Sequence, residues 1–255
     1  MDELNIALVQ SDLVWEDIDQ NLNQFDELLW ASDADVVILP EMFTTGFSNN
    51  SQQLSVAMDS MPVNWMHDLA SRLGCLLIGS MIIEEKGKCF NRLIAVLPDG
   101  TIQTYDKRHL FSLSKEQEYF SAGQEKLLIE YNGWKIAPFI CYDLRFPVWT
   151  RNTKEADLMI FIANWPEIRI DHWNTLLKAR AIENQCYVAG VNRIGTDNQG
   201  IVYNGQSAVY NFWGDELISA KDLQGLATTR ISKKELKKNR VHYSFLKDRD
   251  KFGIL

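Results

Sequence analysis

Three residues with reactive side chains stand directly after strand-like segments. Glu41 follows "VVILP", Lys107 follows "TIQTYD" and Cys141 follows "IAPFI". A cysteine attacks as its thiolate, and a neighbouring base or cation helps to form it. Glu41, half-desolvated at a strand end, could serve as that base. Lys107 could favour the thiolate, or bind the oxyanion that forms when a carbonyl is attacked. The backbone N–H of Tyr142, next after the cysteine, is a second candidate oxyanion donor. Together these residues would make acyl-transfer machinery with Glu and Lys in place of His. Each also has an ordinary structural reading. A cysteine after an apolar run is often a small buried hydrophobe, a Glu after Pro a turn residue, and a Lys in "YDKRHLF" a surface cation. The hydrophobe reading is the one adopted for Cys75, Cys89 and Cys186, which no polar cluster follows.

Such a trio needs a scaffold that sets strand ends side by side, since binding crevices of layered α/β folds lie outside those ends. "LNIALVQ" (4–10) has the apolar run of a buried strand. "DIDQNLNQFDELLWAS" (17–32) carries Ile18, Leu22, Phe25, Leu28 and Leu29 at helical spacing. "ADVVILP" (34–40) reads as a strand stopped by Pro40. "PVNWMHDLASRLG" (62–74) opens with Pro and closes with Gly, the punctuation of a helix. "CLLIGSMIIEE", "FNRLIAVLPDG" and "TIQTYDK" read as consecutive strands with a turn at "PDG", and "KLLIEYNGWKIAPFIC" as a hairpin turning at "NG". "DLMIFIAN" (157–164) is a further buried strand. "DHWNTLLKARAIENQ" (171–185) predicts a helix with Asp171 as its N-cap. "CYVAGVNR", "GQSAVYNF" and "LATTRI" complete a set of ten or more strands and four or five helices. Hairpins mixed with strand–helix–strand crossovers predict an α/β (α+β) fold of two packed mixed sheets with helices outside. No linker interrupts residues 1–255, so one domain is expected. The aromatic and apolar tail from about residue 239 is expected to pack on that domain or on a partner subunit.

The charge balance, 26 Lys and Arg against 34 Asp and Glu for a net −8, disfavours nucleic acid and anionic membrane as partners. "SKKELKKNR" reads as a solvated helix face. No apolar run approaches the length of a membrane span. "MDELNIALVQ" carries acids where a secretion signal would carry basic residues, which points to the cytoplasm, where the four cysteines stay reduced. There is no C-x-x-C and no H-E-x-x-H, so a metal site has little support.

"LPEMFTTGF", "YDKRHLF" and "ICYDLRFP", in that order, resemble the nitrilase superfamily of carbon–nitrogen hydrolases. "ADLMIFIANWP", "HWNTLLKARAIENQCYVAGVNRIG" and "YNGQSAVYNFWGDEL" extend the resemblance over nearly the whole chain. It implies a four-layer α-β-β-α sandwich that dimerises, with "RFPVWTRN" and the C-terminal tail at the interface. It also implies a Glu41–Lys107–Cys141 triad and no cofactor. A second catalytic-site glutamate is implied before Gly123. The spacing favours Glu116 over Glu118, and its role would be to hold Lys107 and orient the amide. Asp143 and Arg145 are expected to form a buried pair bracing the nucleophile turn, unless Arg145 meets a substrate carboxylate instead.

Within the superfamily, "CYDLRFPVW", "ANWP" and "HWNTLLKARAIENQ" look most like the ω-amidases, which hydrolyse the terminal amide of 2-oxoglutaramate and related dicarboxylate monoamides. A free carboxylate on the substrate calls for a cationic partner, and Arg108, Arg145 and Arg169 are the candidates. Phe43, Phe47, Tyr119 and Trp165 could form apolar walls, although Trp165 could equally cap the core. An amidase for deaminated glutathione or an N-carbamoyl amino acid hydrolase would keep the triad but need a longer or differently charged pocket. A catalytically inactive scaffold would have no need of all three side chains.

Overall fold

The computed structural model describes residues 1–221 and 223–254. Its elements, in chain order, begin with strand β1 (Glu3–Gln10), helix α1 (Ile18–Leu29), β2 (Val36–Ile38), α2 (Ser51–Leu54), α3 (Met61–Leu73), β3 (Leu76–Glu85), β4 (Lys88–Val96) and β5 (Ile102–Asp106). The chain continues through β6 (Ile129–Tyr131), β7 (Trp134–Ile140), β8 (Leu158–Ala163), α4 (Ile170–Asn184) and β9 (Tyr187–Asn192). It then adds β10 (Ile194–Thr196), β11 (Val202–Asn204), β12 (Ala208–Tyr210), β13 (Glu216–Ser219), β14 (Gly225–Ser232) and α5 (Lys233–His242).

Two six-stranded mixed sheets result, ordered β14-β1-β2-β3-β4-β5 and β13-β12-β9-β8-β7-β6. Each has a parallel centre, β1-β2-β3 in one and β7-β8-β9 in the other, flanked by antiparallel strands. Residue parity explains the layering. Leu4, Ile6 and Leu8 of β1 join the cluster between the sheets, which also holds Leu158 and Ile160 of β8. Ala7 and Val9, on the opposite face of β1, pack under Leu22, Phe25 and Leu29 of α1 and Val63, Met66 and Leu69 of α3. On the far side of the second sheet, Trp173, Leu177 and Ala181 give α4 its buried face. The layers are α-β-β-α, as the sequence pattern and the family resemblance led us to expect.

Local chemistry sets the element ends. Asp17 caps α1 by accepting the Gln20 N–H at 2.9 Å. Gly74 closes α3 in the left-handed conformation, φ +65°. Asn132 and Gly133 both have positive φ, +50° and +78°, as a tight two-residue hairpin turn requires. One expected cap is not formed. A 3₁₀ turn at Glu167–Arg169 runs into α4, so the helix begins at Ile170 and Arg169 occupies the cap position. Asp171 lies inside the first turn, where its charge still favours the helix dipole. Three strands of three or four residues, β10, β11 and β13, were too short to show a period in the sequence.

The segment after α5 runs back over its own domain. The Gln185 side chain donates to the Tyr243 carbonyl (2.7 Å) and accepts from the Leu246 N–H (3.2 Å), and Arg249 donates to the Asn152 carbonyl.

The connection after β5 is tightly constrained. The Gly123 N–H donates to the Lys107 carbonyl at 2.9 Å, and a Cβ on Gly123 would overlap the Asp106 carbonyl oxygen. Backbone cannot yield as a flexible side chain can. Gly123→Ala is therefore expected to cost about 1–3 kcal/mol, the range for overpacking, read as a lower urea midpoint at unchanged slope. An unshifted midpoint would show that the 106–123 contact is loose.

Candidate active site

The ends of β2, β5 and β7 meet as expected. Glu41, two residues beyond Leu39, is buried. Its Oε1 accepts from Lys107 Nζ (2.9 Å) and from Asn91 Nδ2 (2.8 Å). Its Oε2 accepts the backbone N–H of Asn164 (2.8 Å). Lys107, the residue after β5, extends the ladder by donating its N–H to the Asn91 carbonyl at 3.0 Å. Its ammonium reaches both oxygens of Glu116 at 3.0 Å, and the Phe111 N–H also donates to Glu116. Glu118 is exposed, so Glu116 is the glutamate that joins the cluster.

One cation thus lies between two carboxylates, all three buried. Burial opposes the Lys107 charge, but Glu116 and Glu41 outweigh it and hold its pKa well above the usual lysine range. Burial likewise raises the Glu116 carboxyl, against the pull of Lys107. Cys141, half-buried, lies at the head of a 3₁₀ turn, Cys141–Arg145, with φ +42°. That conformation is strained for a residue with a side chain and projects it from the strand end. Burial first, then the Glu41 charge and a hydrogen bond to Glu41, push its thiol well above the normal cysteine pKa, with Lys107 opposing.

Asp143 holds the nucleophile turn, but not through Arg145. Its Oδ2 accepts from the Tyr105 hydroxyl (2.6 Å) and the Ile140 N–H (3.1 Å). Its Oδ1 accepts from the His109 N–H (3.0 Å) and contacts His109 Nδ1 (2.7 Å). Trp149 Nε1 donates to Tyr105 (3.0 Å) and completes the network. These partners satisfy the aspartate fully, which leaves Arg145 free of the expected pair.

Arg145 turns instead into a cavity of about 140 Å³ that it lines with Cys141, Lys107, Tyr142, Asn164 and Arg169. It contacts His172 Nδ1 at 3.2 Å and stacks over Trp165 at 4.6 Å. Burial, then the charge of Arg169, lower its pKa. Phe47 and Trp165 are cavity walls, and Trp165 also packs in the core, so both of its readings hold. Three expected residues lie elsewhere. Arg108 points away, donating to the Gly123 carbonyl (3.2 Å) and covering Trp149. Phe43 is fully buried between Phe25 and Trp65, in room left by the missing side chain of Gly79. Tyr119 is exposed in a neighbouring open cleft.

A family model described as carbon-nitrogen hydrolase matches residues 5–240. The chain is 42% identical to the omega-amidase YafV of Escherichia coli over all of both chains. It is 34% identical to the 2-oxoglutaramate amidase of Bacillus subtilis over 90% of this chain and 91% of that one. A CN-hydrolase superfamily protein of Xanthomonas campestris, solved with an arsenic adduct in its active site, superposes with a TM-score of 0.97 at 42% identity over all of both chains. This chain belongs to the carbon–nitrogen hydrolase family.

Within this hydrolase, several further residues hold the site, although the sequence did not single them out. Asn91 sits mid-strand, and its role depends on which face of β4 meets Glu41. Tyr105 and His109 lie within "YDKRHLF" itself, yet their partner Asp143 is 34 or more residues away. The β10–β11 hairpin adds Ile201 and Tyr203 to the cavity, with the Tyr203 hydroxyl donating to Asp197 at 2.9 Å. Asn164 could have been found, because it follows β8 as Cys141 follows β7.

The arrangement can transfer a proton from thiol to carboxylate as an acyl carbon is attacked, and the raised thiol pKa disfavours a preformed thiolate. Alkylation of Cys141 by iodoacetamide should accordingly be slow at pH 7 and climb with pH through pH 9 without levelling. A plateau below pH 8, measured by mass spectrometry of the Cys141 peptide, would contradict the raised thiol pKa.

Proposed function

We propose that this hydrolase is an amidase for small ω-amido dicarboxylates such as 2-oxoglutaramate and 2-oxosuccinamate, releasing ammonia and the dicarboxylate through a thioester on Cys141. One observation carries the substrate class. Arg145 and Arg169 line the same cavity as Cys141 and Lys107, and among the described residues neither is ion-paired with a carboxylate. Two unpaired guanidiniums beside a nucleophile suit a substrate with a carboxylate at one end and the reacting amide at the other. The cavity is small, which speaks for a short chain rather than a peptide-like substrate. The names of the relatives above agree.

The proposed cycle follows from lone pairs. Glu41 Oε1 already accepts two donors, whereas Oε2 accepts one short bond, so Oε2 has the lone pair that can take the thiol proton. Cys141 Sγ attacks the amide carbon. Lys107 and the Tyr142 N–H receive the oxyanion. Glu41 returns its proton to nitrogen as the C–N bond breaks and ammonia leaves. A water, deprotonated by Glu41, attacks the thioester. The C–S bond breaks, the acid departs, and the proton on Glu41 returns to sulfur. Glu116 keeps Lys107 charged and fixed throughout. A purely binding role has no use for a strained cysteine facing a buried Glu–Lys–Glu cluster. The reading also makes the protein a cytoplasmic homodimer or higher homo-oligomer without nucleic-acid or membrane partners. Supporting it, no helix among the described residues is long and apolar enough to cross a membrane, and Val148 and Phe245, in the two segments expected at the interface, are 57% and 60% exposed.

Ammonia release from 2-oxoglutaramate tests the function. The wild type should release it, while Cys141→Ala and Glu41→Gln should lose at least about 10³-fold in kcat with the fold retained by circular dichroism. Release by Cys141→Ala would remove the thioester. No release by the wild type would remove this substrate and bring forward N-carbamoyl amino acids and deaminated glutathione.

The carboxylate contact has its own test. Arg145→Ala or Arg169→Ala should lower kcat/KM for succinamate by about 10–100-fold, the value of a charge-assisted hydrogen bond, yet leave that for butyramide nearly unchanged. An equal loss on both amides would refute the contact.

A further inference from the structure

We propose that the side-chain oxygen of Asn164 is the acceptor that holds the substrate's amide nitrogen, and so the departing ammonia, beside Glu41. The inference deepens the amidase reading and rests on it.

Asn164 is 6% exposed and lines the cavity with Cys141 and Lys107. Its orientation is determined by its partners. Nδ2 donates to the Glu41 carbonyl at 2.7 Å and lies 3.5 Å from Glu41 Oε2. Both are acceptors, so the amide cannot be flipped without setting oxygen against oxygen. The Oδ1 atom is consequently turned away from Glu41, and it is buried with no hydrogen-bond partner among the described residues. A buried acceptor left unpaired is costly and needs an explanation. Asn91 also has an unpartnered Oδ1, but Asn91 does not line the cavity. Asn164 alone is joined to the base by backbone and side chain and also borders the cavity of the nucleophile.

A primary amide brings two N–H donors. When its carbonyl oxygen faces Lys107, its nitrogen lies on the other side of the reacting carbon. An N–H donated to Asn164 Oδ1 would direct the nitrogen lone pair, as it develops, toward the protonated Glu41 Oε2, whose other contact is the Asn164 N–H. The same position serves in reverse. An amine attacking the thioester would donate one N–H to Asn164 and lose the other proton to Glu41. The C–N bond forms, the C–S bond breaks, and that proton ends on the Cys141 sulfur.

This reversal gives a test that separates nitrogen recognition from mere positioning of Glu41. With succinamate and hydroxylamine, the common thioester partitions between succinate, by water, and the hydroxamate, by the amine. Glu41 is the base on both branches, so misplacing it slows both and leaves the ratio unchanged. Asn164→Ala should lower the hydroxamate-to-acid ratio about 10-fold or more relative to wild type, beyond any fall in total rate. Asn164→Ser can still donate to the Glu41 carbonyl while removing the distal acceptor, and it should lower the ratio likewise if the alanine variant does not fold. A fall in total turnover with an unchanged ratio in the folded variant would overturn the assignment and leave Asn164 a positioning residue. A wild type that forms neither product would instead overturn the amidase reading itself.

Discussion

The geometry of this site depends on one lysine lying between two carboxylates in the dry interior. Removing an ion from water costs several kcal/mol, recovered only when its partners are close and its remaining bonding capacity is filled. Lys107 meets that condition by contacting Glu41 and both oxygens of Glu116. Two carboxyl groups to one ammonium leave hydrogen-bond acceptors in excess, and that excess dictates the surroundings. Asn91, the Asn164 N–H and the Phe111 N–H all aim donors at it. Loss of Lys107 would leave two buried carboxylates facing each other, which is far more destabilising than never having buried the group.

The need to bring these groups together explains the two-sheet architecture. Glu41 and Lys107 come from the ends of strands in the first sheet, and Cys141 and Asn164 from the ends of strands in the second. Polar ties cross between the sheets at this end, and two of them hold the site. Asn164 grips Glu41 across 123 residues of sequence, and Asp143 grips Tyr105 across 38. Between them runs a core of apolar side chains that supplies cohesion but no register. The ties supply the register, and the tight approach of Gly123 to residues 106 and 107 fixes the third strand end. In the proposed cycle, therefore, errors in position arise first from these ties and only secondarily from the core.

The layers and the strand ends were legible in the sequence because burial imposes periods of 2 and 3.6, and because a polar residue after an apolar run is conspicuous. Glu41, Lys107 and Cys141 stood out in this way, aided by the family resemblance, which alone pointed to Glu116. What failed was direction. Phe43, Arg108 and Tyr119 stand near the motifs in sequence, yet their side chains leave the site. Phe43 goes to the space over Gly79, Arg108 goes to the backbone of residue 123, and Tyr119 goes to solvent. A positive φ at Met42 and at Cys141 turns the chain at the two decisive points, and neither residue type announces such a turn. The expected Asp143–Arg145 pair failed for a related reason. Donors distant in sequence satisfy the aspartate, and local spacing carries no trace of them.

That failed pair has a functional consequence. Because Asp143 is saturated by Tyr105, His109 and Ile140, Arg145 is left to face the cavity with Arg169, and two like charges held together raise the free energy of the empty site. A substrate carboxylate relieves that repulsion. Burial, and then the Glu41 charge, work in the opposite sense at Cys141, raising its thiol pKa and so favouring the protonated sulfur until an acyl carbon is in place. The empty site is thus unfavourable at the arginine end and unreactive at the sulfur end. In the proposed cycle, binding relieves the first condition and chemistry the second. Both are set by groups already fixed in the folded chain, so the proposed specificity for a carboxylate and the restraint on the nucleophile both arise from the burial and fixed charges around one small cavity.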